Sequence, residues 1–284
     1  MTILLLGQQG QVGWELKRSL LTQAQTVYGV DRRQVDLSDM DAVLRLLRTL
    51  KPTHIINAAA YTAVDLAETE SEMAYRINAT LPQLLAEEAK TLGASLIHYS
   101  TDYVFDGSKK TAYIETDSPN PLNVYGQTKL AGEQAIQAVA TRYLILRTSW
   151  VYGERGKNFF LTMQRLLQEK PQLRVVADQV GAPTWSRLIA QITAHIMTQS
   201  TKTWQHNGIY HLTSTGDCSW YEFAQAIADK LGYTTPIIPI STDEYPTPAQ
   251  RPRNSCLATT KLQQDFVLHI PHWRWVWDEL VSGA

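Results

Sequence analysis

Thr2-Ile3-Leu4-Leu5-Leu6-Gly7-Gln8-Gln9-Gly10-Gln11-Val12-Gly13 is the stretch on which the fold turns. A short apolar run, read as a strand over 2–6, feeds directly into a G-x-x-G-x-x-G loop that opens a helix. Glycines at Gly7, Gly10 and Gly13 permit a tight turn and let a ligand approach the backbone. The helix start then offers unpaired N–H groups and the positive end of its dipole to a pyrophosphate. A glycine-rich turn in a sheet protein that binds no nucleotide has the same spelling. Position separates the two readings, because a loop at the very first strand–helix junction favours a dinucleotide site.

Outward from this loop, apolar runs at 26–31, 54–59, 94–101 and 143–149 alternate with stretches of helical periodicity. Val12, Leu16 and Leu20 share one helical face, and Met40, Val43, Leu44 and Leu47 share another. Such alternation predicts an α/β fold, a doubly wound parallel sheet of Rossmann type built from β-α-β crossovers. Residues 71–92 also read as helical, with Pro82 predicting a kink or a restart. Residues 103–122 carry Gly107, Pro119 and Pro121 and no clear period, so a long loop is expected after the fourth strand. Beyond residue 150 the alternation stops and prolines cut the chain into shorter pieces. The organisation expected is a cofactor-binding domain over 1–150, with segments near 185–214 returning to it. A smaller, discontinuous α/β substrate domain then occupies most of 151–284. The Trp273, Trp275 and Trp277 cluster reads as packing rather than as a ligand site.

At 284 residues the chain can bury a sizeable core. With 26 Lys and Arg against 27 Asp and Glu, its formal charge of -1 exerts no broad pull on nucleic acid or an anionic membrane. Any phosphate must therefore be gripped locally. Met1 to Leu6 has no basic flank and its apolar run ends at Gly7, so neither signal peptide nor membrane span is expected and a cytoplasmic location is. Cys218 and Cys256 lack metal-type spacing and read as ordinary thiols.

Asp31 closes the second strand, where a carboxylate accepts hydrogen bonds from the adenosine ribose and so favours NAD. Arg32 and Arg33 follow at once, and a guanidinium there suits the 2′-phosphate of NADP; a solvated charged turn is the plainer reading of Arg33. The sequence leaves NADH and NADPH both open. Ala58 to Ala60 lie just past the third strand, either as tight strand–helix packing or as a close approach to adenine and pyrophosphate. Their place at a strand carboxyl end favours the second.

Tyr125-Gly126-Gln127-Thr128-Lys129 carries the strongest chemical signal. A Tyr and a Lys four apart share one helical face. An ammonium beside a phenol stabilises the phenolate and lowers a pKa that is about 10 when free, which equips Tyr125 to hand a proton to a carbonyl oxygen as hydride arrives at carbon. Lys129 is expected to tune it and to bond the nicotinamide ribose, and Thr101 to polarise the same carbonyl. Tyr-x-x-x-Lys alone is usually just an exposed helix. Here the glycine loop, Thr101 and the pair occur in the order one site requires.

At these residues the chain resembles the extended short-chain dehydrogenase/reductase family, over nearly its whole length. Narrower marks are Gly7 to Gly13 with Gln11, Asn57 to Asp65, Ser100 to Gly107, Tyr125 to Lys129, Arg147 to Gly153, Asn158-Phe159, Asp178 to Thr184 and Arg251 to Ser255. The resemblance implies reduction of the 4-keto group of dTDP-4-dehydro-L-rhamnose by NADH or NADPH, to give dTDP-L-rhamnose for cell-surface polysaccharide. It implies that Gly10, Gln11, Val12, Asp31, Asp36, Leu37, Ala60, Tyr61 and Thr62 line the cofactor. Thr101, Asp102 and Trp150 would meet the sugar nucleotide, and Tyr125 and Lys129 both ligands. Trp150, just past the fifth strand, has a flat face to offer a sugar or a base, though a core Trp has the same spelling. Asn158 is taken as a further substrate contact, and Arg251 and Arg253 as a diphosphate clamp, at least one of them in the site. Some relatives bridge a homodimer with magnesium through acidic residues near the C-terminus, where this chain offers Asp278 and Glu279. Magnesium there would be structural, and no catalytic metal is expected because hydride transfer needs none.

Two other readings share the scaffold. A sugar-nucleotide epimerase or epimerase-reductase would differ in the second half and retain its nicotinamide through purification. A non-catalytic regulatory subunit, such as the relative that partners a methionine adenosyltransferase, has no need of Tyr125 and Lys129 together.

Overall fold

The structure, a computed structural model, describes residues 2–22, 26–199 and 203–280; the outermost residues of both expected domains, 1 and 281–284, lie outside these. Six strands form one wholly parallel sheet in the order β10-β5-β4-β3-β1-β2. They are β1 (Thr2–Leu6), β2 (Thr26–Val30), β3 (His54–Asn57), β4 (Ser95–Thr101), β5 (Tyr143–Thr148) and β10 (Gly208–His211). Residue alternation sends Ile3 and Leu5 to one face of the sheet and Leu4 and Leu6 to the other, each into its own core cluster. Burial on both faces is why these strands read as unbroken apolar runs.

The first face is covered by α1 (Gln11–Leu21), through Leu16 and Leu20, and by α8 (Ser186–Thr198). The second is covered by α2 (Met40–Leu50), α5 (Leu81–Leu92) and α6 (Val124–Val139). Thus α8 and β10, from the second half of the sequence, belong to the body built by the first half. Between β3 and α5 lie α3 (Val64–Ala67), α4 (Ser71–Tyr75) and a π-helical turn over Arg76–Thr80. Pro82 cannot donate a hydrogen bond and sits in the first turn of α5, so the helical stretch of 71–92 restarts there as the proline predicts.

The remaining segments form three short strand pairs beside the sheet. These are β6 (Val151–Tyr152) with β9 (Thr184–Trp185), β7 (Leu173–Val176) with β12 (Ile237–Ile240), and β8 (Val180–Gly181) with β11 (Cys218–Ser219). They are accompanied by α7 (Phe159–Glu169), α9 (Trp220–Leu231), α10 (Thr260–Phe266) and α11 (Trp273–Trp275). Trp277 is fully buried against Tyr152, Phe160 and Phe223 and donates its indole N–H to Ala226 O, so it anchors the segment that carries it. Trp275 alone of the three tryptophans is exposed. No helix among the described residues is long and apolar enough to cross a membrane.

β2 and β3 flank β1 on opposite sides, which makes the carboxyl ends of β1 and β3 the point where strand order reverses. A crevice opens at such a point, and open α/β sheets bind their ligands there.

Candidate active site

Gly7 leaves β1 at φ +79°, and a Cβ on it would stand 2.8 Å from the backbone of Ala58 and Ala59. Only glycine fits this left-handed, crowded position. Gly10 precedes α1 without any side-chain cap, so the first N–H groups of the helix are left for an anion. This cradle suits the pyrophosphate of a dinucleotide. Asp31, at the end of β2, folds its carboxylate back on the Arg33 N–H at 2.9 Å, and Arg32 is exposed beside it. Asp36 accepts from Ser38 N and Oγ, and these bonds hold its carboxyl below the usual range. Leu37 points into the core, which leaves only its backbone for a ligand. Past β3, the segment Ala58 to Thr62 is stapled by buried Asn78, which accepts from Tyr61 N at 2.9 Å and donates to Tyr61 O and Thr128 Oγ.

Asn123 caps α6 by accepting from Gly126 N at 2.8 Å. A side chain on Gly126 would collide with Tyr103 O, so this glycine lets the first turn of α6 lie directly on the segment after β4. Thr101 thereby comes to lie beside the Tyr125 phenol. Thr101 Oγ also donates to Asp102 Oδ1 at 3.1 Å, and Ser255 lies beside the same buried carboxyl. Burial pushes the Asp102 carboxyl up to about 6. The Tyr125 phenol is pushed up to about 12, by burial first and by the neighbouring Asp102, against a smaller opposite effect of Thr101.

The expectation that Lys129 lowers the Tyr125 phenol is not met, because burial raises the phenol and Lys129 is not among the groups acting on it. Lys129 does lie one turn below Tyr125, but its Nζ is turned to His98 Nε2 at 3.0 Å and Tyr99 O at 2.6 Å. Burial brings Lys129 down to about 8, with Glu133 acting in the other direction. The phenol is accordingly held protonated, so it has a proton to give, but as a weaker acid than the expected lowering would make it.

Other expected contacts have tasks of their own. Trp150 adopts φ +47°, a region that costs a bulky residue energy, and stacks on Trp220 with centroids 3.4 Å apart, so Trp220 takes one face of the ring. Asn158 caps α7 and donates to Gln11 Oε1, Gly153 O and Arg155 O, tying the 153–158 loop to the start of α1. Arg251 is held in a bidentate pair by Asp65, at 3.0 and 2.8 Å, and also donates to Ala249 O. Arg253 is exposed, and it lines a cleft of about 730 Å³ with Asp106, Asn120, Tyr245 and Arg251. A larger groove of about 1420 Å³, between α4 and the start of α6, includes neither Tyr125 nor Lys129. Asp278 pairs with Arg274 at 2.9 Å.

Sequence reading missed His98, which has no motif, and the buried pair of Arg147 and Glu133, closed at 2.6 Å. Glu133 lies four residues past Lys129, and that spacing places both on the buried side of α6.

The family model described as RmlD substrate binding domain matches residues 1–283. A dTDP-4-dehydrorhamnose reductase of Escherichia coli (strain K12) is 45% identical over 283 residues, covering 96% of this chain and 95% of its own. A spore coat polysaccharide biosynthesis protein of Bacillus subtilis (strain 168) is 36% identical, over 96% of this chain and 94% of its own. Among solved structures, the dTDP-4-dehydrorhamnose reductase of Bacillus anthracis str. Ames, in complex with NADP, superposes with a TM-score of 0.92. It is 36% identical and covers 98% of this chain and 97% of its own.

Proposed function

The chain belongs to the RmlD substrate binding domain family, and from that membership and the site we infer that it reduces the 4-keto group of dTDP-4-dehydro-L-rhamnose to give dTDP-L-rhamnose. It is an NAD(P)H-dependent oxidoreductase of nucleotide-sugar and polysaccharide biosynthesis. The observation that supports the reading is Thr101 beside the Tyr125 phenol, with Lys129 one turn further along the same helix, at the carboxyl end of the sheet that also carries the Gly7 to Gly13 turn.

The reduced nicotinamide, when bound, supplies the hydride that reaches C4. Tyr125 gives its phenolic proton to the oxygen that becomes the alcohol, while Thr101 bonds that oxygen and orients it. Lys129 then restores the proton to the phenolate. Gly7, Gly10, Gln11, Val12 and Gly13 receive the pyrophosphate, Asp31 the adenosine ribose, and Ala60, Tyr61 and Thr62 the remaining flank. Arg32 is free to swing to a 2′-phosphate, so both NADH and NADPH are accepted. Asp102 and Trp150 meet the sugar, and Arg253 meets the diphosphate across the cleft it lines. Arg251 serves the same cleft by fixing its wall to Asp65.

In this reading residues 1–150, with α8 and β10, hold the cofactor, and most of 151–284 holds the sugar nucleotide. The enzyme works in the cytoplasm, and magnesium has no part in the reaction. The test is oxidation of NADH and of NADPH against a panel of nucleotide-linked 4-keto-6-deoxy sugars, with product configuration read by NMR. Turnover with the dTDP-linked L-lyxo-4-keto sugar and its C4 alcohol as product are expected. Isomerisation without net cofactor oxidation would indicate an epimerase instead.

A further inference from the structure

His98 has no part in the reaction just described, yet it touches one member of the acid–base pair. It sits on β4 with 1% of its surface exposed, between Asn57 of β3 and Lys129 of α6. Asn57 Oδ1 accepts the Ala59 N–H at 3.2 Å, which leaves the Asn57 NH₂ facing His98 Nδ1 at 3.1 Å. An amide NH₂ only donates, so His98 Nδ1 must accept, and the neutral ring then carries its proton on Nε2. That Nε2–H faces Lys129 Nζ. An ammonium has no lone pair to receive it. A free amine does, and it still donates to Tyr99 O.

We propose that His98, oriented by Asn57, is a positioning residue that favours Lys129 as the free amine and thereby sets the pH range of the acid–base pair. The alternative arrangement, an ammonium donating to Nε2, needs the proton on Nδ1 and a reversed Asn57 amide. Reversal would set the Asn57 NH₂ against the Ala59 N–H. Burial and the Lys129 charge hold His98 well below its usual value, so the ring is neutral throughout.

The groups around Lys129 leave His98 this influence. Glu133, on the same helix, favours the ammonium, but its carboxylate is closed on Arg147 of β5. Asp102, on the turn after β4, acts on Tyr125. Glu68 of the α3 end is bound to Val124 N at the start of α6. The π turn and α5 present neutral Asn78 and Pro82 to this helix, at Thr128 and Gly132. A lysine whose amine form is welcome gives up its proton readily, and the proton passed to the Tyr125 phenolate leaves behind the state that the Nε2–H stabilises. Lys129 at about 8 is then a charged donor at neutral pH and loses that role above it.

This inference rests on the acid–base reading of Tyr125 and Lys129, and two measurements separate the two. Imidazole ¹⁵N shifts of the free enzyme above pH 8, assigned through the β4 backbone, are expected to show His98 as the Nε2–H tautomer. In Asn57→Asp an acceptor replaces the NH₂, the ring becomes Nδ1–H, and Nε2 accepts from an ammonium. The basic limb of kcat should then move to higher pH by about one unit, the effect of one hydrogen bond to a charged group. An Nδ1–H tautomer in the parent, or an unmoved limb in a folded Asn57→Asp, overturns the proposal. If that variant does not fold, the parent's tautomer still decides. Full turnover in Tyr125→Phe would strike the acid–base reading itself, whereas the tautomer bears on His98 alone.

Discussion

Tyr125 and Asp102 stand side by side at the residue scale, and burial acts on both in the same chemical direction, toward the protonated form. For Tyr125 this keeps a proton available at every working pH, so its removal should abolish the transfer without disturbing the cradle. Tyr125→Phe is expected to bind NAD(P)H with parental affinity and to lose at least about 100-fold in kcat, the scale of general acid catalysis. Fluorescence titration and single-turnover kinetics check the two halves. For Asp102 the consequence is a stability term. Its carboxyl rises from 3.8 to about 6, so between these values the unfolded chain gives up a proton that the folded chain keeps. Stability therefore falls as pH rises through that window, by roughly 3 kcal/mol for this one group. Asp102→Asn should flatten the pH dependence of denaturant unfolding there. An unchanged slope would show that the carboxyl ionises freely in the folded protein.

Helix α6 carries Tyr125 and Lys129, and its attachment to β5 is electrostatic as well as apolar. Glu133 and Arg147 face each other with side chains 0% and 2% exposed, joined by three hydrogen bonds of 2.6 to 3.2 Å. Breaking such a pair strands a buried charge, which costs about 3–5 kcal/mol. Glu133→Gln should lower unfolding stability by that order while leaving NAD(P)H affinity within about twofold where it is folded, since neither residue belongs to the cradle. Because the Glu133 charge also favours the Lys129 ammonium, the basic limb of kcat should move to lower pH, opposite to Asn57→Asp. A limb that stays in place would show that Glu133 spends its whole charge on Arg147. The helix itself was legible in the sequence through its Tyr-x-x-x-Lys spacing. Its partners were not, because Arg147 and Glu133 look like surface charges until packing removes the water around them.

Across the whole molecule, the loop over 247–253 is joined to the cofactor-binding body by Asp65 and Arg251, 186 residues apart in sequence. The pair is partly exposed, with side chains 42% and 22% accessible, so its coupling is expected near 1 kcal/mol rather than at the buried value. Asp65→Ala and Arg251→Ala should therefore lower kcat/KM for the sugar nucleotide to a similar degree, and the double variant should be little worse than either. Arg253→Ala, with no ion pair among the described residues to replace, should cost kcat/KM about 1.5–3 kcal/mol and leave NAD(P)H affinity unchanged. Independent losses from Asp65 and Arg251 would restore Arg251 to a direct role at the diphosphate.

The sequence by itself determined the parallel sheet, the glycine turn after β1 and the shared helical face of Tyr125 and Lys129. Each is written in local signals: a strand buried on both faces shows as an apolar run, a left-handed turn as glycine, a shared helical face as a spacing of four. The tertiary structure alone decided what each polar group does with its remaining hydrogen bonds. It turned Lys129 toward His98, gave Arg251 to Asp65 and Asn158 to Gln11, and laid Trp150 on Trp220. These partners are 31 to 186 residues apart. Hydrogen bonds and stacking act over a few ångströms and carry no imprint on sequence spacing, so only the fold brings such groups within reach.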